Sequence, residues 1–336
     1  MNANVLITGA GGAAAISFLS SVRSSLPFEY FMGDIDPYAA GLYLVQASNR
    51  IILPRAADAD FVDKLLSICE RFEIDVLVPT VDMELLQIAD AIKRFEEKGT
   101  KILLADLLTL RICLDKNELL KHCSGMNCSP KSQVLDEKFD DEGWDYPLFV
   151  KPREGAGSRG ILKIENACEL QAVARDGSML VQEYLEGEEF SVDVFADKGG
   201  IVKAAVPRER LKVDSGVAVA SRSIKDEELQ NEAIAVATEI GLKYTANIQF
   251  KRNSKGEPKL LEVNARFPGT MPLTVKSGVN MPLLSLKELL DLGIDDSEYV
   301  WKETAVVRTL QDHFISPGEM AALENEAAGD ELKLAA

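Results

Sequence analysis

Leu260-Leu261-Glu262-Val263-Asn264-Ala265-Arg266 is the stretch on which the fold turns. In an extended strand, period-two alternation sends Leu261, Val263 and Ala265 to one face and Glu262, Asn264 and Arg266 to the other. Three polar groups in a row on a strand with apolar flanks are costly to bury unless a ligand satisfies them. The oxygens of Glu262 and Asn264 are hard donors suited to Mg²⁺, and Arg266 is placed to hold an adjacent phosphate oxygen. Ala246–Lys251 and Lys259–Ala265 read as a hairpin around Asn253-Ser254-Lys255-Gly256, which puts the carbonyl of Gln249 on the facing strand. The competing reading is an edge strand with a solvated outer face.

Toward the N-terminus, Tyr146–Val150 reads as a strand that runs into Lys151-Pro152-Arg153-Glu154-Gly155-Ala156-Gly157-Ser158-Arg159-Gly160. Glycines let successive backbone amides turn toward one centre, and such a nest binds phosphate oxygens. Lys151, Arg153, Arg159 and Lys163 face only Glu154 across this segment, a local positive excess inside a chain of net charge −17. A flexible hairpin with solvated charges is the alternative. Between these two motifs lies Val181-Gln182-Glu183-Tyr184-Leu185-Glu186-Gly187-Glu188-Glu189, a strand breaking into a turn before a second strand, Glu189–Ala196. The break exposes backbone groups able to read an adenine edge, with a carboxylate further on for ribose hydroxyls. By itself this is an acidic, solvated turn; its weight comes from the order of phosphate loop, hinge and metal strand.

The 336 residues contain 46% apolar and 27% charged side chains, an ordinary globular composition. Single cores stop growing at about 250–300 residues, so at least two domains are expected. The excess of 54 acidic over 37 basic residues argues against nucleic acid, which needs a basic phosphate-tracking surface. No apolar run approaches the ~18 residues of a membrane span, and the start lacks the basic residues of a secretory signal. Five cysteines without a CxxC pair read as reduced thiols in a cytoplasm. Two histidines, His122 and His313, leave the chemistry to carboxylates, lysines, arginines and backbone amides.

The first hundred residues alternate strand and helix signals: Val5–Thr8, Glu29–Asp34, Arg50–Leu53, Ile74–Val78 and Lys101–Leu104 as strands, with helical spacing at Phe61, Leu65, Ile68, Cys69 and Phe72. That grammar implies a doubly wound parallel sheet. From about Thr109 it changes to a charged helix, Leu114–Lys121, and then to strands and hairpins, with a further helix stopping at Gly241.

Asp115-Lys116, Phe149-Val150-Lys151-Pro152, the Gly155–Gly160 loop, Gln182–Leu185, Asn247-Ile248-Gln249-Phe250 and Glu262–Arg266 together resemble the ATP-grasp superfamily, in particular the branch of carbamoyl phosphate synthetase and amino-acid ligases. The resemblance implies a Rossmann-like N-terminal lobe over 1–112 and a two-lobed ATP-grasp domain over 113–300 with a mobile lid near 146–180. A C-terminal segment, 301–336, follows, with an end open to fraying. The resemblance further implies that Lys116 and Lys151 contact ATP phosphates, that Gln182, Glu183, Tyr184 and Leu185 hold adenine, and that Glu189 binds ribose. Gln249, Glu262 and Asn264 would bind two Mg²⁺ (or Mn²⁺) ions. Gln249 stands at the first metal position in place of a carboxylate, so metal affinity depends more on the nucleotide.

The function implied is an ATP-dependent ligase that activates a carboxylate as an acyl phosphate for attack by an amine or other nucleophile, releasing ADP and phosphate, with Lys151 and Arg266 neutralising the charge on the transferring phosphoryl group. Arg208, Arg210 and Lys212 either meet the carboxylate substrate or form a solvated charged loop. Asp82, in Pro79-Thr80-Val81-Asp82, either meets a substrate ammonium or caps the helix that follows. Small-molecule carboxylate and amine substrates are the expected partners, and a homodimer is left open. The loop's four basic groups are expected to repel one another until phosphates arrive. Two alternatives stand: an NAD(P)-dependent oxidoreductase using the Gly9-Ala10-Gly11-Gly12 turn with Asp34 as the ribose acid, and a non-catalytic nucleotide-binding protein.

Overall fold

Val5, Leu6 and Ile7 are fully buried in the strand Asn4–Thr8 (β1), a run that is apolar on both faces. Such a strand belongs in a parallel sheet covered on both sides. In the computed structural model, which describes residues 2–155, 159–214 and 217–334, it lies at the centre of one. Glu29–Asp34 (β2), Arg50–Ile52 (β3), Val76–Val78 (β4) and Lys101–Ile102 (β5) complete a five-stranded sheet in the order β3-β2-β1-β4-β5. All its pairings are parallel. The helix Phe61–Arg71 buries Phe61, Leu65, Leu66 and Cys69, with Asp63 in its first turn and Arg71 in its last, each matched to the helix dipole.

The chain forms two compact units, and the first is not contiguous: it takes Met1–Leu107, Arg266–Glu298 and Arg308–Ala336. The later segments are tied in by specific contacts. The Phe267 ring meets Phe18 edge-on at 4.7 Å, Ser17 Oγ donates to Gly269 O at 3.0 Å, and Asn280 Nδ2 donates to Ser21 O at 2.8 Å. Residues 266–298 thus group with the parallel sheet, not with the strands before them. The C-terminal tail is helical over Pro317–Leu334 and is linked to β3 through Arg50 and Glu319 at 3.2 Å.

The second unit, Leu108–Ala265 with Tyr299–Val307, contains two antiparallel sheets. Ser132–Leu135 (β6), Leu148–Pro152 (β7), Leu162–Ile164 (β8) and Met179–Glu183 (β9) form the smaller, ordered β6-β9-β7-β8, over a core of Leu135, Leu148, Val150, Ile164, Leu170 and Val181. Glu189–Ala196 (β10), Val202–Asp214 (β11), Val217–Ser223 (β12), Tyr244–Arg252 (β13), Pro258–Asn264 (β14) and Ala305–Val307 (β15) form the larger, ordered β14-β13-β10-β11-β12-β15. The charged helix expected over Leu114–Lys121 is instead two helices, Leu107–Leu114 and Lys116–His122, because Asp115 leaves helical geometry and caps the second by accepting from Asn117 N at 2.8 Å.

Register fixes which side chains share a face of the six-stranded sheet. Val192, Val194, Ile248, Phe250, Leu260 and Val263 are buried on one side, and the helix Glu227–Glu239 packs against this sheet through Leu229, Ala233, Val236 and Ala237. The opposite side carries Glu189, Ser191, Asp193, Arg208, Asn247, Gln249, Glu262 and Asn264 in matched positions on four strands. A polar sheet face of this extent requires a ligand, or internal pairing, to satisfy it.

Candidate active site

The polar face opens into a cavity of about 400 Å³ between the two sheets of the second unit. Eight of the expected residues line it: Lys116, Lys151, Gln182, Glu183, Leu185, Glu189, Gln249 and Glu262. The size suits a nucleotide-scale ligand.

Lys151 projects from β7 and is 4% exposed. Its Nζ donates to Leu261 O at 3.0 Å. That carbonyl is available because β14 carries a bulge: Gln249 pairs with Glu262 but Phe250 with Leu260, leaving Leu261 as the extra residue. The bulge also corrects the alternation read from sequence. Leu261 lines the cavity, whereas Leu260 joins Val263 and Ala265 among the buried apolar side chains. Burial pushes the Lys151 ammonium down to about 8, with Glu262 opposing the shift and Lys116 adding to it.

Lys116 opens the helix Lys116–His122, and its Nζ donates to Gly155 O at 2.9 Å and sits 3.9 Å from Glu262 Oε2. Two of the four loop cations, Arg153 and Lys163, are paired with carboxylates of the protein itself. Arg153 holds Asp115 through two guanidinium nitrogens and donates to Gly177 O at 3.2 Å, and Lys163 pairs with Glu165 at 2.7 Å. Burial raises the Asp115 carboxyl, but Arg153 and the Asn117 amide outweigh it and hold it below the usual carboxylate range. Ala156, Gly157 and Ser158, the middle of the expected nest, lie outside the described residues.

At the hinge, Gln182 is 1% exposed and its Oε1 finds no hydrogen-bond partner among the described residues, an acceptor left for a ligand in the cavity it lines. Glu183 accepts from Lys131 N at 2.9 Å. Tyr184 is not a lining residue: its ring lies beneath Lys163 and Lys251, at 4.8 and 5.7 Å from the ammonium groups. Glu189 meets Arg210 Nε at 2.9 Å.

Glu262 Oε1 accepts from Asn264 Nδ2 at 3.1 Å, and Gln249 stands opposite Glu262 in register. These are hard oxygen donors with a single carboxylate, and among the described residues no three His, Cys, Asp or Glu side chains converge. The set fits Mg²⁺ held chiefly by nucleotide phosphates and completed by Glu262, Asn264 and Gln249.

Arg208, Arg210 and Lys212 belong to strand β11, not to a solvated loop. Arg208 is fully buried, with Nε and Nη2 on Asp193 at 2.9 and 2.7 Å, and Asn247 Nδ2 on the same carboxylate at 2.7 Å. It is committed to an internal pair and does not line the cavity. Arg210, two residues on, does. Period-two spacing puts Arg208 and Arg210 on one face, and only depth separates them. Lys251 was missed in the sequence, although its alternation with Gln249 places it on the same side.

In the first unit, Asp82 and Arg266 are partnered with each other: Nε to Oδ1 at 2.5 Å and Nη2 to Oδ2 at 2.8 Å. The glycine turn there is filled by the chain itself. A Cβ on Gly9, at φ +68°, would come within 2.6 Å of Val81 Cγ2 and 2.9 Å of Thr80 Oγ1. Gly269 sits so close to Ala13 that a Cβ would fall 2.7 Å from it, at the start of the helix Ala13–Val22. Asp34 accepts from Gly11 N at 2.7 Å and from Asp36 N at 3.0 Å. The fingerprint glycines thus serve packing, and the helix end that would face a pyrophosphate is covered.

Residues 175–313 match the family model described as ATP-grasp in the biosynthetic pathway with Ter operon, and residues 5–103 match PylC-like, N-terminal domain. The chain is 28% identical over 164 residues to the carbamoyl phosphate synthase arginine-specific large chain of Geobacillus stearothermophilus, covering 45% of this chain and 16% of that one. It is 26% identical over 224 residues to the 3-methyl-D-ornithine–L-lysine ligase of Methanosarcina mazei, covering 65% of this chain and 56% of that one. The chain thus spans from one sixth to just over half the length of these relatives. In fold it is similar to a Campylobacter jejuni biotin carboxylase, with TM-score 0.71, 16% identity, and coverage of 89% of this chain and 73% of that one. Among the described residues no helix is long and apolar enough to cross a membrane.

Proposed function

The chain belongs to the ATP-grasp superfamily, and from that premise we propose that it is an ATP-dependent ligase joining a small-molecule carboxylate to an amine. The carboxylate takes the γ-phosphoryl group of ATP to give an acyl phosphate and ADP; the amine attacks the acyl carbon and releases phosphate. The supporting observation is the convergence of Lys116, Lys151, Gln182, Glu189, Gln249 and Glu262 on one cavity of about 400 Å³.

In this reading Lys116 and Lys151 hold phosphates, residues 182–185 hold adenine, with Tyr184 contributing backbone, and Glu189 holds ribose. Glu262, Asn264 and Gln249 complete two Mg²⁺ or Mn²⁺ ions, whose chemistry is to neutralise the β- and γ-phosphates. Arg266, two residues beyond Asn264, is the further cation assigned to the transferring phosphoryl group. The cytoplasm is the proposed location, in keeping with five free thiols.

The test is a phosphate-release screen with ATP, Mg²⁺ and pairs of amino acids or small organic acids. Release of ADP and phosphate that depends on both acids supports the reading. AMP and pyrophosphate as products would overturn the acyl-phosphate route.

A further inference from the structure

In the parallel sheet the strand order reverses between β1 and β4, and open α/β sheets bind ligands outside the carboxyl ends at such a point. Here those ends are Thr8 and the Pro79–Asp82 loop, and beneath the loop lies Glu84, 5% exposed. A glutamate in the first turn of a surface helix is ordinarily solvated, so its burial needs a reason. One oxygen, Oε1, accepts from Thr8 Oγ1 and from the backbone amides of Thr80 and Val81, the latter two at 3.1 Å. Thr80 is cross-linked again to β1: its amide donates to Thr8 Oγ1 at 3.0 Å and its hydroxyl to Thr8 O at 2.8 Å. A single carboxyl oxygen therefore knits the loop to the end of β1. The next residue, Asp82, carries the bidentate pair with Arg266.

The charged groups around Glu84 are Asp34, at the end of β2, and the Asp82–Arg266 pair at the start of its own helix. Thr8 on β1 and Thr80 and Val81 on the loop are neutral donors. Burial first, and Asp34 second, favour the protonated acid; the three donors favour the carboxylate, and the balance pushes the group up to about 7.

We propose that Glu84 is a positioning residue: its carboxylate fixes the Thr80–Asp82 loop and, through Asp82, the orientation of Arg266, and its protonation loosens that hold. Charge-assisted hydrogen bonds are about twice as strong as neutral ones, so the same contacts grip less firmly once the proton is on. The pairing of Glu84 with Arg266 orientation stands on geometry; its effect on turnover rests on the ligase reading, in which Arg266 meets the phosphoryl group.

The two are separated by reading Arg266 directly. In full-length protein labelled with ¹⁵N-arginine, the Arg266 Nε–H signal is identified by its loss in Arg266→Lys and followed between about pH 6 and about pH 8. Wild type should show one step near neutrality, Glu84→Gln should show none, and Thr8→Val should move the midpoint upward because a donor to the carboxylate is gone. A flat wild-type signal, a step that survives in Glu84→Gln, or an unmoved midpoint in Thr8→Val overturns the proposal. Should Glu84→Gln fail to fold, the Thr8→Val midpoint decides. In the phosphate-release assay the same step should appear in kcat and vanish in Glu84→Gln. Absence of any ligase turnover would remove the ligase reading and leave the spectroscopic result standing.

Discussion

Lys151, on the small sheet, is hydrogen-bonded to the carbonyl of Leu261, the bulged residue of β14, at 3.0 Å. The bond joins the sheet that carries the phosphate loop to the strand that carries Glu262. It also keeps a buried ammonium satisfied on one side while leaving its other protons for a ligand in the cavity.

Lys151→Ala should therefore weaken ATP binding strongly. Loss of a charge-assisted hydrogen bond costs about 1.5–3 kcal/mol, or roughly ten- to 150-fold in Kd. Calorimetry with a non-hydrolysable ATP analogue and Mg²⁺ measures this; an unchanged Kd would exclude Lys151 as a phosphate ligand.

ATP binding should also take up a proton. Burial holds the free Lys151 ammonium down to about 8, and phosphates favour its charged form. Affinity should fall as the pH rises through about 8, since above that value the lysine must be protonated before it binds. Titrations in two buffers of different ionisation enthalpy give the proton count, and zero uptake near this pH would contradict the assignment.

Glu262→Ala should abolish ADP production while leaving the melting transition in place, because it removes the single carboxylate of the metal trio. Near-wild-type turnover at saturating Mg²⁺ would show that the ions, if needed, are held elsewhere.

Asp193→Leu and Arg208→Met should each be severely destabilising. Each leaves an uncompensated charge at a site with no solvent exposure, a loss of about 3–5 kcal/mol, while the double variant should recover most of it. Urea denaturation of the two singles and the double closes the cycle; additive losses would mean that the pair is not energetically coupled.

Glu84 should make stability fall with rising pH. Its folded value is raised from 4.5 to about 7, so between those values the native state keeps a proton that the unfolded chain has released. The penalty grows through that window to roughly 3 kcal/mol and is complete above it. Glu84→Gln should flatten this component in thermal melts taken across the window, and a slope identical to wild type would assign the effect to other groups.

Much of this was legible in the chain because it is local. Alternation sets the strand Glu189–Ala196, the hairpin around Asn253–Gly256, and the polar face holding Gln249 and Glu262. The ladder position of Leu261 was not legible, since a bulge leaves no mark in composition. Arg208 and Arg210 look alike in sequence; the difference is Asp193, which arrives from another strand to claim the first. The Gly9 turn misleads for the same reason. Its glycines read as room for a cofactor, but the space is taken by Val81 and Thr80, and the nearby helix end by Gly269, all far away in sequence.

The bulge in β14 has a consequence for how this strand tolerates change. It divides seven residues into two half-strands of opposite phase: Pro258 and Leu260 face the hydrophobic interior in the first, whereas Glu262 and Asn264 face the polar side in the second, with Val263 between them turned inward. A side-chain replacement on either half stays on its own side. Loss of Leu261 as a residue would instead close the ladder into a regular one, with Leu260 still opposite Phe250 and Glu262 still opposite Gln249, so both side chains keep their sides while the acceptor for Lys151 disappears. Chain length at this point decides whether Lys151 has a main-chain partner, while pairing with Gln249 decides the side to which Glu262 turns.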